Sequence, residues 1–79
     1  MIFTTYILYS EQIAKYYVGS TSQAIEKRLI QHNSKHSGFT GKANDWVVIY
    51  SKEYATVEES RKEEKAIKKR EAKRYLSDD

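Results

Sequence analysis

The 79-residue sequence contains no cysteine, no proline and only three glycines. Without thiols, neither a disulfide framework nor a thiolate metal site can staple the chain. A cysteine-free chain suits a reducing compartment, so a cytoplasmic location is expected. The missing proline and scarce glycine stand against ten aromatic residues, seven of them tyrosine, which is the reverse of a disordered composition. No stretch approaches the ~20 apolar residues that a membrane span needs. The opening MIFTTYILYS lacks the basic region and small-residue cleavage site of a signal peptide. There is no internal repeat, low-complexity tract or linker. The length therefore points to one domain, residues 1–79, with a thin core that buries about 60% of the unfolded surface.

What is present is charge and tyrosine. The formal net charge of +3 is too mild to argue for nucleic acid by itself. Its placement says more, because residues 61–74 (RKEEKAIKKREAKR) hold eight Lys or Arg against three Glu. Such a run reads as a solvated helix laced with i,i+4 pairs as readily as a track for phosphates.

Residues 2–10 (IFTTYILYS) are β-branched and aromatic and predict a strand; 16–21 (YYVGST) predict a second, joined to the first as a hairpin. A loop of about four residues would set Tyr6 close to opposite Tyr17. Ser20, Thr21 and Ser22 are N-cap candidates for a helix over AIEKRLIQHN, whose apolar stripe is Ile25 and Leu29. A polar loop follows at 33–45. WVVIYS (46–51) is a near-continuous apolar run, which predicts a strand buried on both faces, in the middle of the sheet or covered by helices. Thr56, with Glu59 at the capping-box position, opens a second helix that breaks near Lys69–Arg70 before a short last helix ending at Tyr75-Leu76. The expected class is α+β: a small three-stranded, mainly antiparallel sheet flanked by helices, in the order ββαβαα.

Three features conflict with simple core-and-surface patterning. On the second helix Val57, Ser60, Glu64 and Ile67 fall within about 80° of one another, so Glu64 points toward the sheet with the apolar stripe. A carboxylate there must be paired, wet or metal-bound; a salt bridge to a nearby Lys or Arg is the plainer reading. Arg28 and His32, four residues apart, share a helix face at the border of core and water. Arg suits phosphate through its planar fork and His suits proton traffic, although an ordinary amphipathic border explains both. On the strands, Tyr6 shares a face with Thr4 and Leu8, and Tyr17 shares one with Gly19. A strand glycine marks the close approach of a ligand or another backbone, and two facing tyrosines otherwise make a packed cross-strand pair.

Taken together, TTYILYS, KYYVGST, EKRLIQHN, WVVIYSKEY and ESRKEEKAIKK resemble, in order and spacing, the GIY-YIG nuclease superfamily. The chain looks most like its small stand-alone domains, which are similar to the N-terminal nuclease module of the bacterial repair excinuclease. The first motif reads Thr4-Thr5-Tyr6 in place of Gly-Ile-Tyr but keeps its tyrosine, and Glu63 stands where many relatives carry a basic residue. The resemblance implies a divalent-metal-dependent endonuclease that hydrolyses phosphodiester bonds, in DNA rather than RNA, in repair or recombination. It implies Tyr6, Tyr17, Arg28, His32 and Glu64 as catalytic residues, with Glu64 holding Mg²⁺ or Mn²⁺ and Tyr6 taking the proton from the attacking water. Gly19, Lys42, Lys65 and Lys68 are the expected nucleic-acid contacts. So small a surface suggests that targeting comes from a homodimer or a partner protein. The rival expectation is a non-catalytic nucleic-acid-binding module of the same fold.

Overall fold

The computed structural model describes residues 2–34 and 39–70. Strand β1 (Phe3–Ser10) and strand β2 (Lys15–Thr21) form the expected hairpin. Ser10 pairs with Lys15, and Ala14 closes the loop at φ 52°, in the left-handed region. Helix α1 (Ile25–Asn33), a 3-10 turn at Phe39–Lys42, strand β3 (Val47–Tyr54) and helix α2 (Val57–Arg70) follow. The sheet order is β2-β1-β3 with both pairings antiparallel, so the α+β architecture is as expected. The expected last helix, ending at Tyr75-Leu76, lies outside the described residues.

The alternation of β1 sends its side chains into two separate cores. On one face Tyr6 and Leu8 are buried with Ala43 and Trp46, and Ile13, Tyr17, Ile25, Leu29 and Val48 pack around them. On the other face Ile7 and Val18 meet Ile67 of α2, with Tyr16 and Tyr50 alongside. Helix α1 and the 39–46 segment thus cover one side of the sheet and α2 the other. The helix on the second side is anchored by a buried bond: Thr5 Oγ1 donates to the Ser60 carbonyl at 2.7 Å.

Three sequence expectations do not hold. The WVVIYS run does not form a strand buried on both faces; β3 is an edge strand, with Val47 and Ile49 51% and 41% exposed. Its ladder shifts at Ile7/Leu8, where Ile7 pairs with Tyr50 but Leu8 pairs with Val48, leaving Ile49 as the extra residue. That bulge turns Val48 toward the Leu8 core and Tyr50 toward the Ile7 core, although residues two apart would normally share a face. Trp46 and Val48 serve one core and Tyr50 the other, so the run supplies two cores in succession. Second, Tyr6 pairs with Gly19 while Tyr17 pairs with Leu8, so the two tyrosines sit diagonally on one face. Third, α1 is capped at Ala24, without a side-chain hydrogen bond; Thr21 Oγ1 instead accepts from the Gln23 amide at 3.0 Å. At α2 the capping expectation holds, with Thr56 Oγ1 accepting from the Glu59 amide at 3.2 Å.

Candidate active site

The chemistry gathers around the Tyr6 hydroxyl. Tyr6 lies in the central strand and is 1% exposed. Its Oη hydrogen-bonds with His32 Nε2 at 2.8 Å, and His32 Nδ1 is bonded in turn to Thr40 Oγ1 at 2.8 Å. His32, expected at the border of the core, is buried on the sheet-facing side of α1. Tyr17 leans over the pair, its ring centroid 6.4 Å from Tyr6 and 4.9 Å from His32. Helix α1 also brings Arg28, whose Nη1 donates to Gln31 Oε1 at 2.7 Å and whose guanidinium lies beside the Tyr6 hydroxyl.

Burial pushes the Tyr6 phenol above its ordinary value. The hydrogen bond and positive charge of Arg28 pull it down, while Tyr17 and Glu64 add to the rise. The balance keeps Tyr6 protonated at neutral pH, because loss of water costs the phenolate more than one cation returns.

Gly19 explains how so large a side chain fits. A Cβ at Gly19 would lie 2.7 Å from Tyr6 Oη and 3.1 Å from the Tyr17 ring. The close approach that a strand glycine signals is therefore that of Tyr6 itself, crossing the backbone of its cross-strand partner.

Glu64 lies on the opposite side of the sheet, on α2 beside the edge strand β2. Its neighbours on the stripe, Ser60 and Ile67, are fully buried, and the carboxylate itself is 20% exposed. Ser20 Oγ donates to Oε1 at 2.8 Å, and Lys68 Nζ sits on Oε2 at 2.7 Å. The salt bridge that pattern alone offered for Glu64 is thus present, but its lysine is more than half exposed and on a flexible stem. Among the described residues no three His, Cys, Asp or Glu converge on a common point. A carboxylate outside any such cluster fits an ion such as Mg²⁺, which keeps several waters and takes one or two carboxylates.

Of the expected nucleic-acid contacts, Gly19 is covered by Tyr6, Lys42 is exposed on the α1 side of the sheet, and Lys65 and Lys68 project from α2. Lys65 and Lys68 share a helix with Glu64; Lys42 stands on a different layer. Sequence reasoning overlooked Thr40 and Ser20, the partners of His32 and Glu64. Both are small hydroxyl residues in segments read as a loop and a cap, and only the tertiary pairing picks them out. It also overlooked the frame that places Thr40. Trp46 Nε1 donates to the Thr40 carbonyl at 2.8 Å, and Asn33 brackets the Trp46 backbone with bonds of 2.7 and 3.1 Å.

No helix among the described residues is long and apolar enough to cross a membrane. No curated protein and no solved structure gives a significant match to the chain. The family model described as the GIY-YIG catalytic domain matches residues 2–76, nearly the whole length and every element that supplies a site residue. The chain belongs to the GIY-YIG catalytic domain family and has its nuclease-type fold, for which the substrate is nucleic acid.

Proposed function

We propose that the protein is a divalent-metal-dependent endonuclease that hydrolyses phosphodiester bonds in DNA, in a repair or recombination setting, with a homodimer or partner protein supplying the target. The observation that carries this reading is convergence. His32 of α1 bonds to the hydroxyl of Tyr6, Arg28 of the same helix lies beside it, Tyr17 of β2 leans over the pair, and Glu64 of α2 stands near enough for its charge to add to the rise of the Tyr6 phenol. That grouping offers a proton path, a phosphate grip and a carboxylate within one small region, which is what in-line hydrolysis requires.

In this reading Arg28 holds a non-bridging oxygen of the scissile phosphate through its planar fork. Tyr17, which is only partly buried, orients the attacking water. Tyr6 accepts that water's proton while passing its own to His32 Nε2, so no free phenolate has to form against the burial that disfavours it. With its Nδ1–H donating to Thr40 Oγ1, His32 accepts from Tyr6 through Nε2. Glu64, oriented by Ser20, would hold Mg²⁺ or Mn²⁺. Such an ion, when bound, supplies Lewis-acid stabilisation of the charge on the leaving oxygen. Lys68 then turns away from Glu64 toward the substrate backbone.

The test is cleavage of branched, nicked and single-stranded DNA, alongside RNA, in Mg²⁺ or Mn²⁺. Glu64→Ala and Arg28→Ala should each lose cleavage by at least ~100-fold while circular dichroism and unfolding midpoints stay near those of the parent. Absence of cutting on every substrate by the parent protein would falsify the enzymatic reading. The Lys68–Glu64 pair favours one rival, a non-catalytic binding module in which the carboxylate is merely neutralised. Salt-sensitive binding indifferent to Mg²⁺ and to Glu64→Ala is the result that would select it.

A further inference from the structure

A cavity of about 380 Å³ lies between the β2–α1 connection and the first half of α2, lined by Ser20, Ser22, Gln23, Arg28, Ser60 and Arg61 together with apolar neighbours. Its volume falls in the range of small-ligand sites, roughly 300–1,000 Å³. Among the described residues two arginines and no acidic residue line it, so it favours an anionic ligand. It adjoins the candidate active site at two points. Arg28 belongs to both, and Ser20 lines the cavity while donating to Glu64 Oε1 at 2.8 Å. Arg61 precedes Glu64 by three residues and so sits beside it on the same face of α2. Lys62 carries the same charge one position along, about 100° further round the helix, and does not line the cavity.

We infer that Arg61 is a second phosphate-binding residue, which holds the phosphate next to the scissile one on the same strand while Arg28 holds the scissile phosphate. The inference rests on the placement of Arg28 proposed above. Two arginines lining one cavity suit two successive phosphates of a single chain, and the Ser22 hydroxyl and the Gln23 side-chain amide can donate to the oxygens between them, while Ser20 keeps its bond to Glu64. Arg61 thereby sets the register of the strand relative to Glu64 without touching the reacting atoms.

The experiment is a metal-free NMR titration of the full chain with 5′-phosphorylated dithymidine, following the side-chain Nε–H signals of Arg28 and Arg61. Both signals should shift with one shared saturation curve, and thymidine 5′-monophosphate should bind more weakly. Arg61→Ala should weaken the dinucleotide about tenfold, the worth of one charged hydrogen-bonding partner, and Lys62→Ala less than about twofold. On duplex DNA, Arg61→Ala should reduce the slope of log K against log salt by about 0.9, one phosphate contact. An unmoved Arg61 signal, or equal losses in Arg61→Ala and Lys62→Ala, overturns the inference. The two readings fail separately: a chain that shows the dinucleotide response but never cuts loses the endonuclease reading alone. One that cuts while Arg61→Ala behaves like Lys62→Ala loses only the second phosphate site.

Discussion

Tyr6 and Gly19 form a unit that neither residue explains alone. The tyrosine's hydroxyl is fixed by His32, and its ring lies over the glycine's backbone, so the ring has no room to retreat from a new methyl group. Gly19→Ala should therefore cost about 1–3 kcal/mol, the usual range for overpacking a filled site, read as a lower urea midpoint at unchanged m-value. If the glycine kept space open for a substrate and not for Tyr6, the same change would leave stability intact and weaken binding only. At this scale the sequence was most readable at Glu64, because a carboxylate on an apolar stripe is anomalous before any neighbour is known. It was least readable at Thr40 and Ser20, whose hydroxyls matter only through His32 and Glu64, residues eight and 44 positions away.

Among the elements, α2 was the most legible. Thr56 and Glu59 announce its start, and in the structure the Thr56 hydroxyl accepts the Glu59 amide while Glu59 Oε1 accepts from that hydroxyl at 3.0 Å. Thr56→Ala should lower stability by about 1 kcal/mol, with a range of ~0.5–2, measurable by denaturant unfolding. Because Glu64 rides on this helix, the same variant should also weaken any metal-dependent activity only slightly, as the cap lies about two turns away. Strand β3 was the least legible element. Apolar side chains at 46–50 fit a doubly buried strand as well as a bulged edge strand, and nothing local distinguishes them. The bulge at Ile49 is set by where the Leu8 and Ile7 cores lie, and it also twists an exposed edge that would otherwise invite pairing.

For the whole molecule, the ionisable groups predict how stability responds to pH. The Ser10 hydroxyl and the Gln12 amide hold the Asp45 carboxyl below its ordinary range and tie the 43–46 segment to the β1–β2 loop. A depressed carboxylate contributes stability that is present above its unfolded value and lost as pH falls through its folded value. Asp45→Asn should therefore flatten the acid limb of a plot of unfolding midpoint against pH. The opposite limb belongs to the phenols. Burial raises Tyr6 and Tyr54, with Arg28 opposing the rise at Tyr6 and Glu63 adding to it at Tyr54. A raised phenol contributes stability below the ordinary tyrosine range that is lost as pH climbs through the folded value. Tyr54→Phe should thus soften the alkaline decline, and an unchanged alkaline limb in that variant would count against a raised phenol at this position.

By itself the sequence determined the α+β class, the hairpin, the two helices of the described residues and the side of α2 that carries Glu64. Each of these depends on periodicity, capping and turn chemistry within about ten residues, and local forces suffice to specify them. The tertiary structure alone decided that β1 and not β3 is central, that Tyr6 lies over Gly19 with Tyr17 diagonal to it, and that Glu64 bonds to Ser20 on the α2 side of the sheet while Tyr6, Tyr17 and His32 gather on the other. Those features depend on register and on which hydroxyl meets which ring or carboxylate, and such choices are made only when distant segments compete for the same buried space.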